Sequence, residues 1–277
     1  MLAVVATPIG NLEDITYRAV RTLREASVIA CEDTRQTRKL LEHFGIQTPM
    51  VSYHEHNEAS RAAELLPRMA AGEVVALVTD AGTPLVSDPG FRLVQAAVAA
   101  GIRVVPIPGV SAAVAALSAA GLPTDSFRFG GFLPVKSGAR RKLLESLAAE
   151  SATLVFYEAP HRIVEALEDI QAVLGGRPVV VARELTKLHE EYLRGTAQEI
   201  ATALAARPAV KGEITLLIGK GDGPHMSDTR TLAELVRDLE ADGLSPMDAI
   251  KQAAKARGLS KRDVYREINQ LDARQTK

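Results

Sequence analysis

The sequence predicts an α/β protein of two sheet-based domains followed by a small helical C-terminal segment. Three observations carry that expectation. Short apolar runs alternate with helix-periodic segments through the first 121 residues and again to about 220, as in sheets covered by helices. Glycines stand where the first-half helices should stop, at Gly45, Gly72, Gly101 and Gly121. The composition then breaks at Gly219-Lys220-Gly221-Asp222-Gly223-Pro224, a flexible linker by content, with helix signals beyond it.

Taken in order, Leu2–Ala6 reads as a first strand and Pro8-Ile9-Gly10-Asn11 as its turn. Asp14 or Thr16 caps a helix to Glu25, and Val28–Cys31 is the second strand. Thr34–Phe44 is helical, Met50–Tyr53 is a third strand, and Asn57 caps a helix to Ala71. Val74–Thr79 is an unbroken apolar run, expected of a strand covered on both faces. A helix over Phe91–Ala100, a strand over Arg103–Ile107 and a small-residue helix over Ser111–Ala120 complete the first domain, residues 1–121. In the second, residues 122–220, strands are predicted at Phe127–Phe132, Thr153–Tyr157, Pro178–Arg183 and Glu213–Ile218. Helices are predicted there at Ala139–Ala149, His161–Leu174 and Ala197–Ala206. In the tail, residues 225–277, Ser245-Pro246-Met247-Asp248 and Ser260-Lys261-Arg262-Asp263 each place an acid three residues after an N-cap serine. They predict two short helices joined at Gly258, resembling a helix-turn-helix.

At 277 residues, 47% hydrophobic and 24% charged, the chain can bury a core without disulfide or metal. Cys31 is the lone cysteine, which fits a reducing cytoplasm. No run reaches the ~18 apolar residues of a membrane span. The start lacks a basic region and reads as a buried strand rather than a signal peptide. With a net charge of −1, nucleic acid must be met by local patches. Lys136, Arg140, Arg141 and Lys142 form one, and Lys255, Arg257, Lys261, Arg262 and Arg266 another, although solvated helix faces account for either.

Ligands on parallel sheets bind at the carboxyl ends of the strands, so the loops there carry the chemistry. Thr7-Pro8-Ile9-Gly10-Asn11 is a glycine turn that brings backbone N–H groups to a ligand, or simply a tight turn. Cys31-Glu32-Asp33-Thr34-Arg35 gathers two acids, a hydroxyl and a guanidinium at a helix start, where capping explains Asp33 or Thr34 but not the whole cluster. His54-Glu55-His56-Asn57 suits substrate contact or proton handling better than a metal, since no further Cys or His cluster completes a site. Asp80-Ala81-Gly82-Thr83-Pro84, running on to Ser87-Asp88-Pro89-Gly90, is a long polar loop of the kind that tends to be functional. Pro108-Gly109-Val110-Ser111-Ala112 opens the small-residue helix, against which a flat ring can pack, as can another helix. The second domain adds Tyr157-Glu158-Ala159-Pro160-His161-Arg162 and Arg183-Glu184-Leu185-Thr186-Lys187, whose charges ion pairing alone also explains. Dinucleotide and P-loop glycine patterns, a serine elbow, paired-cysteine zinc spacing and H-E-x-x-H are all missing.

These loops, with Gly131-Phe132-Leu133-Pro134, resemble in order the small-subunit ribosomal RNA cytidine 2′-O-methyltransferases, a branch of the tetrapyrrole methylase superfamily. The resemblance runs from residue 3 to about 220 and is looser in the tail. It implies two α/β domains of the tetrapyrrole methylase type with S-adenosyl-L-methionine in the cleft between them. It implies a cytoplasmic homodimer acting on 16S rRNA of the small ribosomal subunit at the ribose of cytidine 1402, with no membrane or DNA partner. The first loop, Thr7-Pro8-Ile9-Gly10-Asn11, follows the RNA-directed branch rather than the glycine-rich pattern of tetrapyrrole-directed relatives.

On this footing Pro8, Gly10, Asp80, Gly82, Thr83, Pro84, Asp88, Ser111, Ala112 and Tyr157 are expected at the cofactor. Glu32, Arg35, Glu55, His56, Asn57, His161, Arg162, Arg183, Lys136, Arg140 and Arg262 are expected at the RNA. Asp33, His54, Glu184 and Lys187 are expected at the reacting centre, with Asp33, His54 or Glu184 as base, or positioning with no dedicated base. No metal is required. Two other functions fit less of the pattern: a precorrin-type tetrapyrrole methyltransferase, and a non-enzymatic ribosome-assembly factor that retains a cofactor fold.

Overall fold

The computed structural model describes residues 1–221, 231–241, 243–257 and 259–267. Its first sheet comprises β1 (Leu2–Val5), β2 (Val28–Cys31), β3 (Met50–Ser52), β4 (Val75–Val78) and β5 (Val104–Ile107). The order is β3-β2-β4-β1-β5 and every pairing is parallel. Parallel strands need crossovers, and α1 (Tyr17–Glu25), α2 (Thr34–His43), α3 (Glu58–Ala70) and α4 (Phe91–Ala99) supply them. Helices α1 and α2 bury Leu23 and Leu41 on one face of the sheet; α3 and α4 bury Leu65 and Leu93 on the other. That double cover explains why the middle strands β2 and β4 read as unbroken apolar runs.

Helix α5 (Ala112–Ala120) packs against the second sheet instead of its own. Its small side chains let it lie close, with Ala113, Ala116, Leu117 and Ala120 against Val155, Val180, Ala182 and Leu217. Arg194 fastens its end, donating to the carbonyls of Ala119 (2.6 Å) and Ala120 (3.1 Å), where the helix dipole favours a cation.

The second sheet comprises β6 (Phe127–Phe132), β7 (Thr153–Glu158), β8 (Pro178–Arg183), β9 (Glu191–Thr196) and β10 (Ile214–Ile218), in the order β6-β7-β10-β8-β9. Only β6 and β7 pair in parallel. Helices α6 (Ser137–Ser146), α7 (Ile163–Leu174) and α8 (Ala197–Ala205) enclose a separate core around Leu144, Phe156, Leu167 and Leu204. Strand β9 had no counterpart among the sequence expectations. Glu191-Tyr192-Leu193-Arg194-Gly195-Thr196 has no apolar run, because it is a half-buried edge strand satisfied by pairing with β8 along its whole length.

In the tail, α9 (Leu232–Ala241), α10 (Pro246–Arg257) and a helix over residues 261–267 share a small core of Leu232, Leu235, Val236, Ala249, Ala253 and Val264. Helix α9 was not anticipated. The two serine caps form: Ser245 Oγ accepts from the Asp248 N–H and Ser260 Oγ from the Asp263 N–H. The proposed joint at Gly258, and residues 222–224 of the expected linker, lie outside the described residues. Among the described residues no helix is long and apolar enough to cross a membrane.

Candidate active-site cleft

A cavity of about 250 Å³ opens where the carboxyl ends of the first sheet meet the second. Its first-lobe wall is the segment after β4. Thr7 and Gly82 exchange backbone hydrogen bonds at 2.9 and 3.0 Å, which folds that segment over the end of β1 and requires the positive φ of Gly82 (+84°). Thr83 then ties to the α5 entry through the Val110 carbonyl (3.1 Å). The second-lobe wall is the end of β7, the loop after β8 and the entry to β10.

Backbone strain maps the same place. Among the described residues four non-glycine positions have positive φ: Leu85, Ser87, Glu184 and Thr186. Two sit on each bordering loop, and each costs roughly 1–2 kcal/mol. Ser87 and Leu185, which line the cavity, are presented by these turns. Strain of this kind persists where the surroundings over-determine it, and functional sites are the usual setting.

The first-lobe wall carries Asp88, with Glu32 and Asp80 close by, and none of the three has an ion pair among the described residues. Burial pushes Asp88 up to about 6, against a Thr79 hydrogen bond and reinforced by the charges of Glu32 and Asp80. Burial and the Asp80 charge raise Glu32, whose Oε2 accepts from Thr79 Oγ1 at 3.2 Å. Asp80 is raised chiefly by burial, although it accepts the Asp33 N–H at 3.0 Å. Three carboxylates thus converge at the ends of β2 and β4. On the opposite wall Tyr157 stacks edge-on with Phe129 (5.0 Å between centroids) and Phe132 (5.6 Å), and burial raises its phenol.

Of the residues expected at the cofactor, Gly82, Thr83, Asp88, Ser111, Ala112 and Tyr157 line the cavity. Pro8 and Pro84 are buried beside it, Asp80 stands behind Asp88, and Gly10 lies under the Lys187 side chain, which a Cβ at that position would strike. Of the reaction-centre group, Asp33 is held down to about 2 by the Arg35 side chain, which it meets at 2.7 Å while capping α2. Lys187 Nζ sits between Glu184 (2.8 Å) and Glu213 (2.7 Å), and its hydrogen bond holds Glu184 below the usual carboxylate range. His54 Nε2 lies 3.2 Å from Asn57 Nδ2, and its Nδ1 is buried without a partner.

Several substrate expectations need correction. Asn57 does not cap α3 with its side chain: Oδ1 accepts the His54 N–H (2.9 Å) and Nδ2 donates to the Ser52 carbonyl (3.1 Å), bracing the histidine turn. Arg140 is 1% exposed and bound to buried Asp169 at 2.7 Å, so it offers nothing to RNA. Arg162 is engaged by Glu158 and Arg183 by Glu191, which removes both as free cations. Lys136, Arg262, His161, Glu55 and His56 are exposed; Arg35 is exposed too, but carries its bond to Asp33. Gly212, Glu213, Ile214 and Thr215 complete the second wall and had not been chosen. The signal was there in Gly212, whose missing Cβ makes room for Glu184.

The fold and cleft define a two-lobed α/β protein with a ligand-sized cavity at the strand ends of its first sheet. A family model described as tetrapyrrole (corrin/porphyrin) methylases matches residues 1–201, and the chain belongs to that family. Within it, the chain is similar to ribosomal RNA small subunit methyltransferase I of Halalkalibacterium halodurans, at 50% identity over 95% of this chain and 93% of that one. The protein of the same name from Synechocystis is 49% identical over 99% of both. A solved uroporphyrin-III-C-methyltransferase from Thermus thermophilus shares the fold, with a TM-score of 0.55 at 23% identity over 79% of this chain and 94% of that one.

Proposed function

We propose that the protein transfers the methyl group of S-adenosyl-L-methionine to the 2′-hydroxyl of cytidine 1402 in 16S rRNA, as part of small-subunit maturation in the cytoplasm. The observation that carries the donor site is the cavity with an uncompensated acidic wall facing an aromatic one. These walls fit a cationic donor that carries a flat ring: Asp88 offsets its positive charge, and the small residues Ser111 and Ala112 leave room beside Tyr157. The full-length relatives support the RNA target.

When bound, the donor supplies a methyl carbon on a positively charged sulfur. The protein's work is to set a ribose oxygen in line with that carbon, and holding reactants at attack distance can contribute about 7–11 kcal/mol. The oxygen becomes strongly acidic as it takes the methyl, so its proton needs only a weak acceptor. That matters because Asp33 and Glu184 are both held down by cations and are poor bases. Asp33, Glu184 and Lys187 therefore serve alignment, with Lys187 packed across Gly10 to join the lobes, and His54 is the candidate left to take the proton. Glu32, Arg35, Glu55, His56 and His161 are the groups proposed to meet the nucleotide, and Lys136 and Arg262 the phosphates beyond it. A homodimer completes the assembly in this reading.

The test is incubation with methyl-labelled S-adenosylmethionine and small subunits lacking the modification, followed by nuclease mapping. Label on a cytidine ribose supports the proposal. Label absent from RNA but accepted by a tetrapyrrole overturns it.

A further inference from the structure

Strand β6 ends in a bulge that turns one aromatic ring toward the cleft. Phe129 pairs with Val155, yet Phe132 pairs with Tyr157, so three steps along β6 span two along β7. In an unbroken register Gly131 would stand opposite Tyr157, and Phe132 would face the second-lobe core beside Phe156. The extra residue puts Phe132 on the opposite face, which is how bulges re-aim side chains beside active sites. Two glycines make the turn possible: Gly131 has a positive φ (+66°), and a Cβ on Gly130 would strike the Phe156 ring. The Phe132 ring therefore lines the cavity and is 56% exposed, while the next residue, Leu133, is 2% exposed in the core. We propose that Phe132 is the stacking platform for the base of the target nucleotide, holding that nucleotide's ribose over the donor. The inference rests on the reading of the chain as an RNA methyltransferase.

Position and chemistry select a base. Phe132 meets Tyr157 with ring planes at 65° and centroids 5.6 Å apart, an edge contact that leaves a face of Phe132 to solvent. Strand β6 is the edge of its sheet, so Phe132 lies on the far side of Tyr157 from the packing of α5 on β7, β8 and β10. The donor is read at Ser111 and Ala112, where α5 begins; the ring on the edge strand is left for the second reactant. Across the cleft, a Cβ on Gly131 would come 3.5 Å from Ser87 Oγ. The Gly90 N–H of that same first-lobe loop donates to Glu58 Oε1 at 3.0 Å, which ties the loop to the turn bearing His54 and His56. Val135 and Lys136, both exposed, follow Phe132 within four residues. Aromatic faces beside a cation are the surface that single-stranded RNA uses, its unstacked bases on the rings and its phosphates on the charge.

The test uses methylation of small subunits lacking the modification and a fluorescent variant. Phe132→Ala should raise KM for the subunit about 5–100-fold, the loss expected of one base–aromatic stack. Phe132→Tyr should restore it, and the dissociation constant of S-adenosylhomocysteine should change far less in either variant. The chain has no tryptophan, so Phe132→Trp carries a single reporter at the site. Its emission should be quenched by a single-stranded RNA bearing the target cytidine, and not by the same strand made abasic there, which keeps its phosphates. An unchanged KM in Phe132→Ala overturns the inference, as does quenching that is equal with both strands or absent with both. A larger loss for S-adenosylhomocysteine than for the subunit gives the ring to the donor and overturns it too. Emission that changes with protein concentration alone gives the ring to a second copy, with the same consequence. If the wild type labels no subunit RNA, the RNA reading falls and this inference with it.

Discussion

In the first lobe Glu32, Asp80 and Asp88 are raised first by burial and then by neighbouring carboxylates; in the second, Glu184 and Glu191 are held down by cations they touch, and Asp169 is held down by guanidiniums despite its burial. The second lobe spends its charge internally. Arg140 and Arg141 bind Asp169, Arg183 and Arg207 bind Glu191, and Lys187 lies between Glu184 and Glu213. The first lobe leaves acids together near strand ends, with no ion pair to Glu32 or Asp88 among the described residues. Paired charge of the one kind holds loops in place, whereas unpaired charge of the other awaits a cationic ligand.

The largest effect that could break this contrast is at Arg140. Arg140→Ala leaves Asp169 buried beside Arg141 alone, and removal of one member of a buried pair costs about 3–5 kcal/mol. Denaturant unfolding should show that loss. A stable Arg140→Ala protein with weakened RNA binding would return second-lobe charge to ligand duty.

Asp88→Asn should act with the opposite sign on stability. The folded value of Asp88 lies near 6, above that of an unfolded aspartate. Its stabilising contribution is therefore complete below the unfolded value and lost as pH rises through about 6. At pH 7 the ionised side chain opposes folding, by about 1–2 kcal/mol once solvent screening is allowed for. Asp88→Asn should raise unfolding stability at pH 7 by that amount and weaken donor binding about 10–100-fold, the worth of a charge-assisted contact. In the wild type, donor affinity should fall as pH drops below about 6, and calorimetric titration across pH 5–8 checks this. A pH-independent dissociation constant would detach the acidic wall from the donor.

Glu191 gives the second-lobe counterpart. Arg207 and Arg183 hold it at about 2, so its contribution is present above the unfolded value near 4.3 and lost as pH falls toward 2. Glu191→Gln should cost about 1–3 kcal/mol at pH 7 and little once the pH has fallen below about 2. Acid unfolding curves of the variant and the wild type would then converge, which is the reverse of the Asp88 profile.

The same contrast explains what could be read from the sequence. Strands such as Val28–Cys31 and Val75–Val78 were legible because burial on both faces leaves an apolar run, and helix ends because Gly45 and Gly101 adopt the left-handed region. Strand β9 was not, since a half-buried edge strand carries polar residues and leaves no apolar run. Loops near the cavity were found from their glycines and acids. Yet Arg140 looks in sequence like any basic residue, and only its partner Asp169, twenty-nine positions away, decides what it does.

The smallest effect concerns two exposed cations of the tail. Lys261 and Arg262 are exposed in the first turn of the helix over residues 261–267, where the helix dipole disfavours cations. Stability therefore gives no reason for their charge, whereas a phosphate ligand would. Arg266 by contrast lies 3.9 Å from Asp263 and is partly engaged. Arg262→Ala should leave unfolding unchanged and reduce affinity for small subunits a few-fold, lowering the slope of log affinity against log salt by about one. An unchanged slope would remove the tail from RNA docking and leave the exposed cations of the first two lobes, Lys136 among them, to hold the substrate.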